Sequence, residues 1–176
     1  MIDFNRLNAL GNTAIGMSFI RGKESLREDA LFYDKLAVEI YNKKNNIEKS
    51  IDDSYIIVRT KFFDDTVSRI LKNTDFEQVV VLGIGLDIRF QRLDFKKKLK
   101  VFEIDQPEVI QFRQEVIPQL NFKNSNAFVQ IGLTFSNEKS LVKELTKNDF
   151  DKTKKTLWVL EGLLCYQQMK AKFYVT

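Results

Sequence analysis

Residues 79–89, VVVLGIGLDIR, decide the fold of this chain of 176 residues. The first four are apolar and three of them are β-branched, which predicts a short strand buried on both faces. Gly83 and Gly85 follow the strand. Glycines at the carboxyl end of a buried strand let the backbone turn sharply and approach a ligand closely, because no Cβ is in the way. The stretch therefore predicts a strand that leads into a binding crevice.

A second apolar segment, residues 99–104, ends at Asp105, about 20 positions after the glycines. In nucleotide-binding folds an acidic side chain at this place accepts hydrogen bonds from ribose hydroxyls. Capping of the helix that Pro107 opens is an alternative role for Asp105, and the two roles can coexist. Glu103 lies on the same face but deeper, so we expect it to be secondary. A nicotinamide-binding fold would place a third glycine at the start of the helix, where this chain has Asp87 and Arg89.

Helical spacing of apolar residues alternates with short apolar runs along the chain. The predicted helices are residues 13–20, 24–41, 55–72, 89–93 and 107–117, and another after position 136. In the N-terminal part the pattern allows a break near Gly22 or near Tyr33 and Asp34. The predicted strands are residues 79–82, 99–105, 127–133 and 156–160. This alternation predicts an α/β fold with a parallel, doubly wound sheet in the order 3-2-1-4. Gly83, Gly85, Asp105 and Glu161 then meet around one crevice at the carboxyl ends of the strands.

Composition excludes several classes of function. The absence of histidine excludes a Ser-His-Asp triad, a Cys-His pair and a histidine-ligated metal site, and we expect no metal. Cys165 is the only cysteine, so an internal disulfide is excluded and a cytoplasmic location is expected.

A net charge of +4 without a clustered basic stripe does not indicate a nucleic-acid partner. No apolar run is long enough for a membrane span. Arg21 and Lys23 are expected on a solvated face, with carboxylate binding as the alternative.

Five segments in order carry a family resemblance: SFIRGKESLREDALFYDKLA (18–37), VRTKFFDD (58–65), VVVLGIGLDIRFQRL (79–93), VFEIDQPEVIQFRQ (101–114) and LWVLEGLLCY (157–166). This combination resembles the leucine carboxyl methyltransferase family, whose members are S-adenosyl-L-methionine-dependent O-methyltransferases. The resemblance implies a Rossmann-like methyltransferase fold with N-terminal helices, S-adenosyl-L-methionine as cofactor, and a small-molecule substrate that accepts the methyl group on a carboxyl or hydroxyl oxygen.

The resemblance also implies roles for individual cofactor-binding residues. Gly83 and Gly85 would line the methionine and ribose portion of the cofactor. Asp87 matches the acidic residue of the family's G-x-G-x-D turn, and Asp105 matches its ribose-binding acid. Arg59 matches the arginine that pairs with the carboxylate of the cofactor, a task that suits a planar guanidinium.

Glu161 and Tyr166 are the implied catalytic residues. Glu161 would lie near the amino group of the cofactor and the reaction centre, and Tyr166 on the substrate side. At the adenine end the family usually has an acidic residue followed by an apolar one. Gly132 and Leu133 occupy those positions here, and loss of the acidic contact should weaken binding by about 1–3 kcal/mol.

The resemblance predicts a single domain over residues 1–176, with a helical cap (1–54), a cofactor-binding core (55–166) and an atypical tail (167–176). Family members continue further, so we expect the C-terminal strands of the sheet to be missing and the fourth strand to form an uncovered edge. Self-association through that edge is one expected consequence. A non-catalytic S-adenosylmethionine-binding remnant or regulatory protein is the alternative to an enzyme.

Overall fold

A four-stranded parallel sheet forms the centre of the computed structural model, which describes residues 12–43, 53–134 and 138–163. Its strands are β1 (Gln78–Leu82), β2 (Lys100–Asp105), β3 (Ala127–Gly132) and β4 (Thr156–Val159). They lie in the spatial order β3-β2-β1-β4, and in the register Val81 stands opposite Glu103 on one side and Val159 on the other. The predicted order 3-2-1-4 is confirmed.

In the described residues, six α-helices surround or precede the sheet. They are α1 (Asn12–Ser25), α2 (Lys35–Lys43), α3 (Asp53–Asn73), α4 (Arg89–Arg92), α5 (Pro107–Val116) and α6 (Glu138–Lys147), and a short 3-10 helix, Ile117–Leu120, follows α5. Within these described parts of the chain, no helix has the length and apolar character needed to cross a membrane.

The two faces of the sheet bury alternate residues of β1. Val79 and Val81 pack with Val67 and Leu71 of α3 and with Ile110 of α5. On the opposite face, Val80 and the neighbouring strand residues Phe102 and Ile104 pack against Leu145 of α6. Successive side chains of the strand point to opposite faces of the sheet, so both layers of helices pack on apolar residues, as expected for a doubly wound α/β fold.

The N-terminal helices differ from their predicted limits. The pattern allows a break near Gly22 or near Tyr33 and Asp34. The structure excludes the first position, because α1 continues through Gly22 to Ser25, and agrees with the second, because α2 begins at Lys35. A Cβ at Gly22 would collide with the backbone carbonyl of Ala37, so this glycine permits close packing of α1 on α2. Asp34 starts α2, because its Oδ1 atom accepts a hydrogen bond from the Ala37 amide at 2.9 Å.

Candidate functional site

The turn after β1 has the left-handed backbone geometry that its glycines predict. Gly83 has φ = +70° and Gly85 has φ = +53°, a left-handed conformation that side chains disfavour. The Gly83 amide donates to the carbonyl of Ile104 at 2.8 Å, which continues the pairing of β1 with β2 for one residue. The chain then turns over the ends of both strands.

Asp105 is fixed at the end of β2 by two backbone amides. Its Oδ2 atom accepts a hydrogen bond from Gly85 at 2.6 Å, and its Oδ1 atom accepts one from Gln106 at 2.7 Å. Gln106, not Asp105, occupies the N-cap position of α5. The carboxylate therefore ties the glycine turn to β2 and does not act as the N-cap.

A cleft of about 280 Å³ lies over this turn. Six of the predicted residues line it: Arg59, Gly83, Gly85, Asp87, Asp105 and Glu161. Helix α1 contributes Ala14 and Met17 to the opposite wall. The structure thus brings together residues from α1, α3, the glycine turn, β2 and the end of β4 at one edge of the sheet, where α/β folds bind ligands.

Glu161 follows β4 and joins two arginines within this cleft. Its Oε1 atom accepts a hydrogen bond from Arg59 Nε at 2.9 Å, and its Oε2 atom accepts one from Arg89 Nη1 at 2.8 Å. The Glu161 side chain is only 15% exposed. A carboxylate that follows an apolar strand requires such partners, because burial of an unpaired charge is costly.

The acidic residue of the glycine turn is also surrounded by cations. Asp87 Oδ2 lies 3.2 Å from Arg89 Nη1, and its Oδ1 atom accepts a hydrogen bond from the Arg89 amide. Burial acts to raise the pKa of Asp87, but the charges of Arg89, Arg21 and Arg92 outweigh it and lower this pKa to about 2. Asp87 is therefore ionised at neutral pH.

Arg89 connects the cleft to α3. Its Nε atom lies 2.7 Å from Asp64 Oδ1, and Arg92 Nη2 lies 2.7 Å from the same carboxylate. Burial acts to lower the pKa of Arg89, but Asp87, Glu161 and Asp64 outweigh it and raise this pKa above the ordinary value for arginine. The Arg89 guanidinium is thus a permanent positive charge. It lies between the carboxylates of Asp87 and Glu161, which line the cleft, and the carboxylate of Asp64, which does not.

A second buried pair supports the turn from below. Arg113 of α5 donates to the carbonyl oxygens of Gly85 at 3.1 Å and Asp87 at 2.6 Å. Its Nη2 atom lies 2.6 Å from Glu103 Oε1, and both side chains are fully buried. Gln91 and Gln130 donate to the two oxygens of the same carboxylate. Glu103 therefore has a structural position beneath the turn and does not line the cleft.

Three predicted site residues are not among those that line the cleft in the described part of the chain. Gly132 and Leu133 lie at the end of β3, where the Leu133 amide donates to the carbonyl of Asp105 and a Cβ at Gly132 would lie 3.0 Å from Pro107 Cα. Tyr166 falls outside the described residues. The roles assigned to these three residues stay predictions.

The expected solvated position is wrong for Arg21. Its side chain is buried, its Nε atom lies 2.9 Å from Asp34, and its Nη2 atom donates to the carbonyl of Leu86 at 3.0 Å. The charges of Asp34 and Asp87 outweigh burial and raise its pKa. Lys23 does lie at the surface, where it pairs with Asp53.

Sequence reasoning missed three site-supporting residues, Arg89, Arg113 and Asp64. A signal existed for two of them. Arg113 interrupts the apolar face of α5, beside Val109 and Val116, and Asp64 does so on α3. A charged residue at an apolar-face position indicates a buried ion pair, because burial without a partner would be too costly.

Comparisons with known proteins show which sequences this chain resembles. The family model for leucine carboxyl methyltransferase matches residues 14–172. The chain is 31% identical to a protein of Frankia alni, in an alignment that covers 92% of this chain and 61% of the relative. It is also 31% identical to a protein of Rhodococcus jostii, in an alignment that covers 91% of this chain and 58% of that relative. Both relatives are provisionally named S-adenosyl-L-methionine-dependent methyltransferases. The chain thus spans about three fifths of the length of these relatives.

Proposed function

The chain belongs to the leucine carboxyl methyltransferase family, and from this premise we propose that it binds S-adenosyl-L-methionine in the cleft over the glycine turn and acts in methyl transfer to a small molecule. The observation that carries the proposal is the arrangement of Asp105, Arg59 and Glu161 around Gly83 and Gly85 in one cleft. In this arrangement Asp105 can accept hydrogen bonds from hydroxyl groups, Arg59 can pair with a carboxylate, and Glu161 can pair with an ammonium group.

The charges of the cleft fit a zwitterionic amino-acid group. Glu161 offers carboxylate oxygens to an ammonium, and Arg59 offers a guanidinium to a carboxylate. The Nε atom of Arg59 is bound to Glu161, whereas its Nη1 and Nη2 atoms have no oxygen acceptor among the described residues. Arg59 can therefore receive an anion without giving up its bond to Glu161.

The ribose of the cofactor would bind at Asp105. The Gly85 amide and the Gln106 amide hold this carboxylate at the mouth of the turn. Each oxygen retains a further lone pair that can accept a hydrogen bond from a hydroxyl group. The absence of a Cβ at Gly85 leaves space for the ligand close to the backbone, whereas the Leu163 side chain packs against Gly83.

The histidine-free composition is compatible with methyl transfer to oxygen. S-adenosyl-L-methionine supplies an activated methyl group and its own leaving group. A carboxylate acceptor is ionised at neutral pH and needs no general base, so the protein has to align the acceptor and exclude water. We accordingly propose O-methylation of a carboxyl or hydroxyl group, with Glu161 and Tyr166 near the reacting atoms, in the cytoplasm.

Two further proposals accompany this function. A non-catalytic protein that retains the cofactor cleft is the alternative to an enzyme. Self-association is also proposed, through β4, which is an edge strand of the sheet in the described part of the chain and half-exposes Trp158.

Isothermal titration calorimetry with S-adenosyl-L-methionine and S-adenosyl-L-homocysteine tests the proposed site. Asp105→Ala and Arg59→Ala should each weaken binding about 10- to 100-fold, because each removes charge-assisted hydrogen bonds. Asp94→Ala and Arg69→Ala are matched controls, since both residues lie outside the cleft, and their affinities should equal that of the wild type. Unchanged affinity in both cleft variants would overturn the site. Binding without methyl transfer to any tested acid would favour the non-catalytic alternative.

A further inference from the structure

A second hollow of about 570 Å³ lies between α2, α3 and α4, apart from the cofactor cleft. Its apolar wall contains the aromatic side chains of Phe32, Tyr33 and Phe122. Tyr33 is 58% exposed, and Leu31 beside it is 48% exposed. The volume falls within the range of small-molecule sites, about 300–1,000 Å³. We call this cavity the lysine hollow, after the lysines at its rim.

The rim of the lysine hollow is positively charged. Four cationic side chains and two carboxylates line it, an excess of two positive charges: Lys35, Lys61, Arg92 and Lys123 against Asp64 and Asp65. Both carboxylates are already paired, Asp65 with Lys61 at 2.6 Å and Asp64 with Arg89 and Arg92 at 2.7 Å. Lys123 has no carboxylate partner in the described part of the chain. Charge complementarity therefore favours an anionic ligand.

Arg92 and Gln91 contribute largely buried side chains to the lining of the hollow. Arg92 Nε and Gln91 Oε1 are buried and have no hydrogen-bond partner among the described residues. The Arg92 side chain is only 7% exposed, and its guanidinium lies over the ring of Phe32 at 5.6 Å. Because both unpartnered atoms are buried, they do not face the hollow, and Arg92 contributes to this cavity through the positive charge that lies over the Phe32 ring.

The lysine hollow and the cofactor cleft are separate cavities. They share no lining residue in the described part of the chain. Asp64 lines the hollow, Arg89 lines the cleft, and the ion pair between them forms part of the layer that divides the two cavities. A molecule in the hollow would thus lie behind this pair and not against the glycine turn.

We propose that the lysine hollow is a second binding site, for a small organic anion with a planar apolar body, of the aromatic carboxylate class. The ring of such a ligand packs against Phe32, Tyr33 and Phe122, and its carboxylate lies between Lys61 and Lys123. This site goes beyond the proposed methyl transfer and does not depend on it.

Fluorescence polarisation of 2-naphthoate tests the proposal on the full chain. The probe should bind saturably, and the uncharged analogue 2-naphthalenemethanol should bind at least about tenfold more weakly. Lys61→Gln/Lys123→Gln should also weaken naphthoate binding about tenfold, because the positive rim is removed. Both lysines lie at the surface of the hollow, so circular dichroism should show an unchanged melting temperature.

Two controls separate this site from the cofactor cleft. Lys147→Gln/Lys152→Gln removes the same charge from exposed positions outside the hollow and should leave naphthoate affinity unchanged. Asp105→Ala should lose cofactor binding but keep naphthoate binding. The proposal is overturned if 2-naphthoate shows no saturable binding up to millimolar concentration, or if the Lys61→Gln/Lys123→Gln variant binds it as tightly as the wild type. It is also overturned if Asp105→Ala loses naphthoate binding while Lys61→Gln/Lys123→Gln keeps it, because the probe would then bind in the cleft.

Discussion

Replacing Arg113 with methionine should destabilise the protein through the floor of the glycine turn. The substitution keeps an unbranched side chain in a fully buried position but removes the guanidinium that donates to the carbonyls of Gly85 and Asp87. It also leaves the fully buried carboxylate of Glu103 without its cation. The glycine turn then loses two hydrogen bonds to its carbonyl groups, and the Glu103 carboxylate beneath it is no longer neutralised.

The expected magnitude follows from burial. Removal of one partner from a buried ion pair costs about 3–5 kcal/mol, mainly because the other charge remains uncompensated. Gln91 and Gln130 still donate to Glu103, which should hold the loss near the lower end of that range. The double variant Glu103→Gln/Arg113→Met removes the orphaned charge and should recover about 1 kcal/mol or more.

Urea denaturation followed by far-UV circular dichroism measures both quantities. Lys155→Met is the matched control, because its ion pair with Asp75 lies at the surface, with side chains 67% and 73% exposed, and should contribute nothing measurable. A loss below about 1 kcal/mol for Arg113→Met, or a double variant as unstable as the sum of the two single variants, would refute the reasoning.

Three further substitutions examine the cleft. Gly85→Ala should cost about 1–2 kcal/mol in thermal denaturation because φ is +53°, whereas Gly16→Ala, in α1 with open space around it, should not destabilise; equal losses would contradict the strain argument. Asp87 has a lowered pKa, so its stabilising effect is complete above about pH 4 and is lost as the pH falls towards 2. The difference in free energy of unfolding between the wild type and Asp87→Asn should therefore decrease by about 2 kcal/mol over that interval. A difference that stays constant with pH in urea denaturation would exclude the assigned charge contacts. Glu161→Gln should reduce stability by about 1–3 kcal/mol, since Arg59 and Arg89 lose a shared carboxylate, and calorimetry should show weaker S-adenosyl-L-homocysteine binding; an unchanged melt and affinity would remove Glu161 from the site.

The sheet could be predicted from sequence because its signals are local. The run of β-branched residues before Gly83 marks a strand buried on both faces, and the glycines mark the turn that follows it. The short helices between strands leave few alternatives to right-handed crossovers, and these determine the order of the strands. Periodicity alone does not decide between a helix break at Gly22 and one at Tyr33 and Asp34. Close packing of Gly22 on Ala37 and capping by Asp34 decide it, and neither depends on the spacing of apolar residues.

The ion pairs of the site could not be predicted, because partner choice depends on the completed fold. Arg89 pairs with a residue 25 positions earlier, and Arg59 pairs with one 102 positions later. Because arginine is usually at the surface, the sequence indicates a solvated position for Arg21, and only the folded positions of Asp34 and Leu86 identify its partners. The sequence therefore predicts the glycines, the acids and Arg59 of the candidate cleft, whereas the buried cations Arg21 and Arg89 are identified only by the structure.

Backbone NMR mapping of ligand binding tests the central claim most directly. In a ¹H–¹⁵N spectrum titrated with S-adenosyl-L-homocysteine, the amides of Gly83, Gly85 and Gln106 should shift most. All three residues line the cleft, and the amides of Gly85 and Gln106 donate to the carboxylate of Asp105. The amides of Gly16 and Gly22 in α1 do not line the cleft and should change less. Absence of saturable shifts, or shifts confined to residues outside the cleft, would contradict the proposed cofactor site.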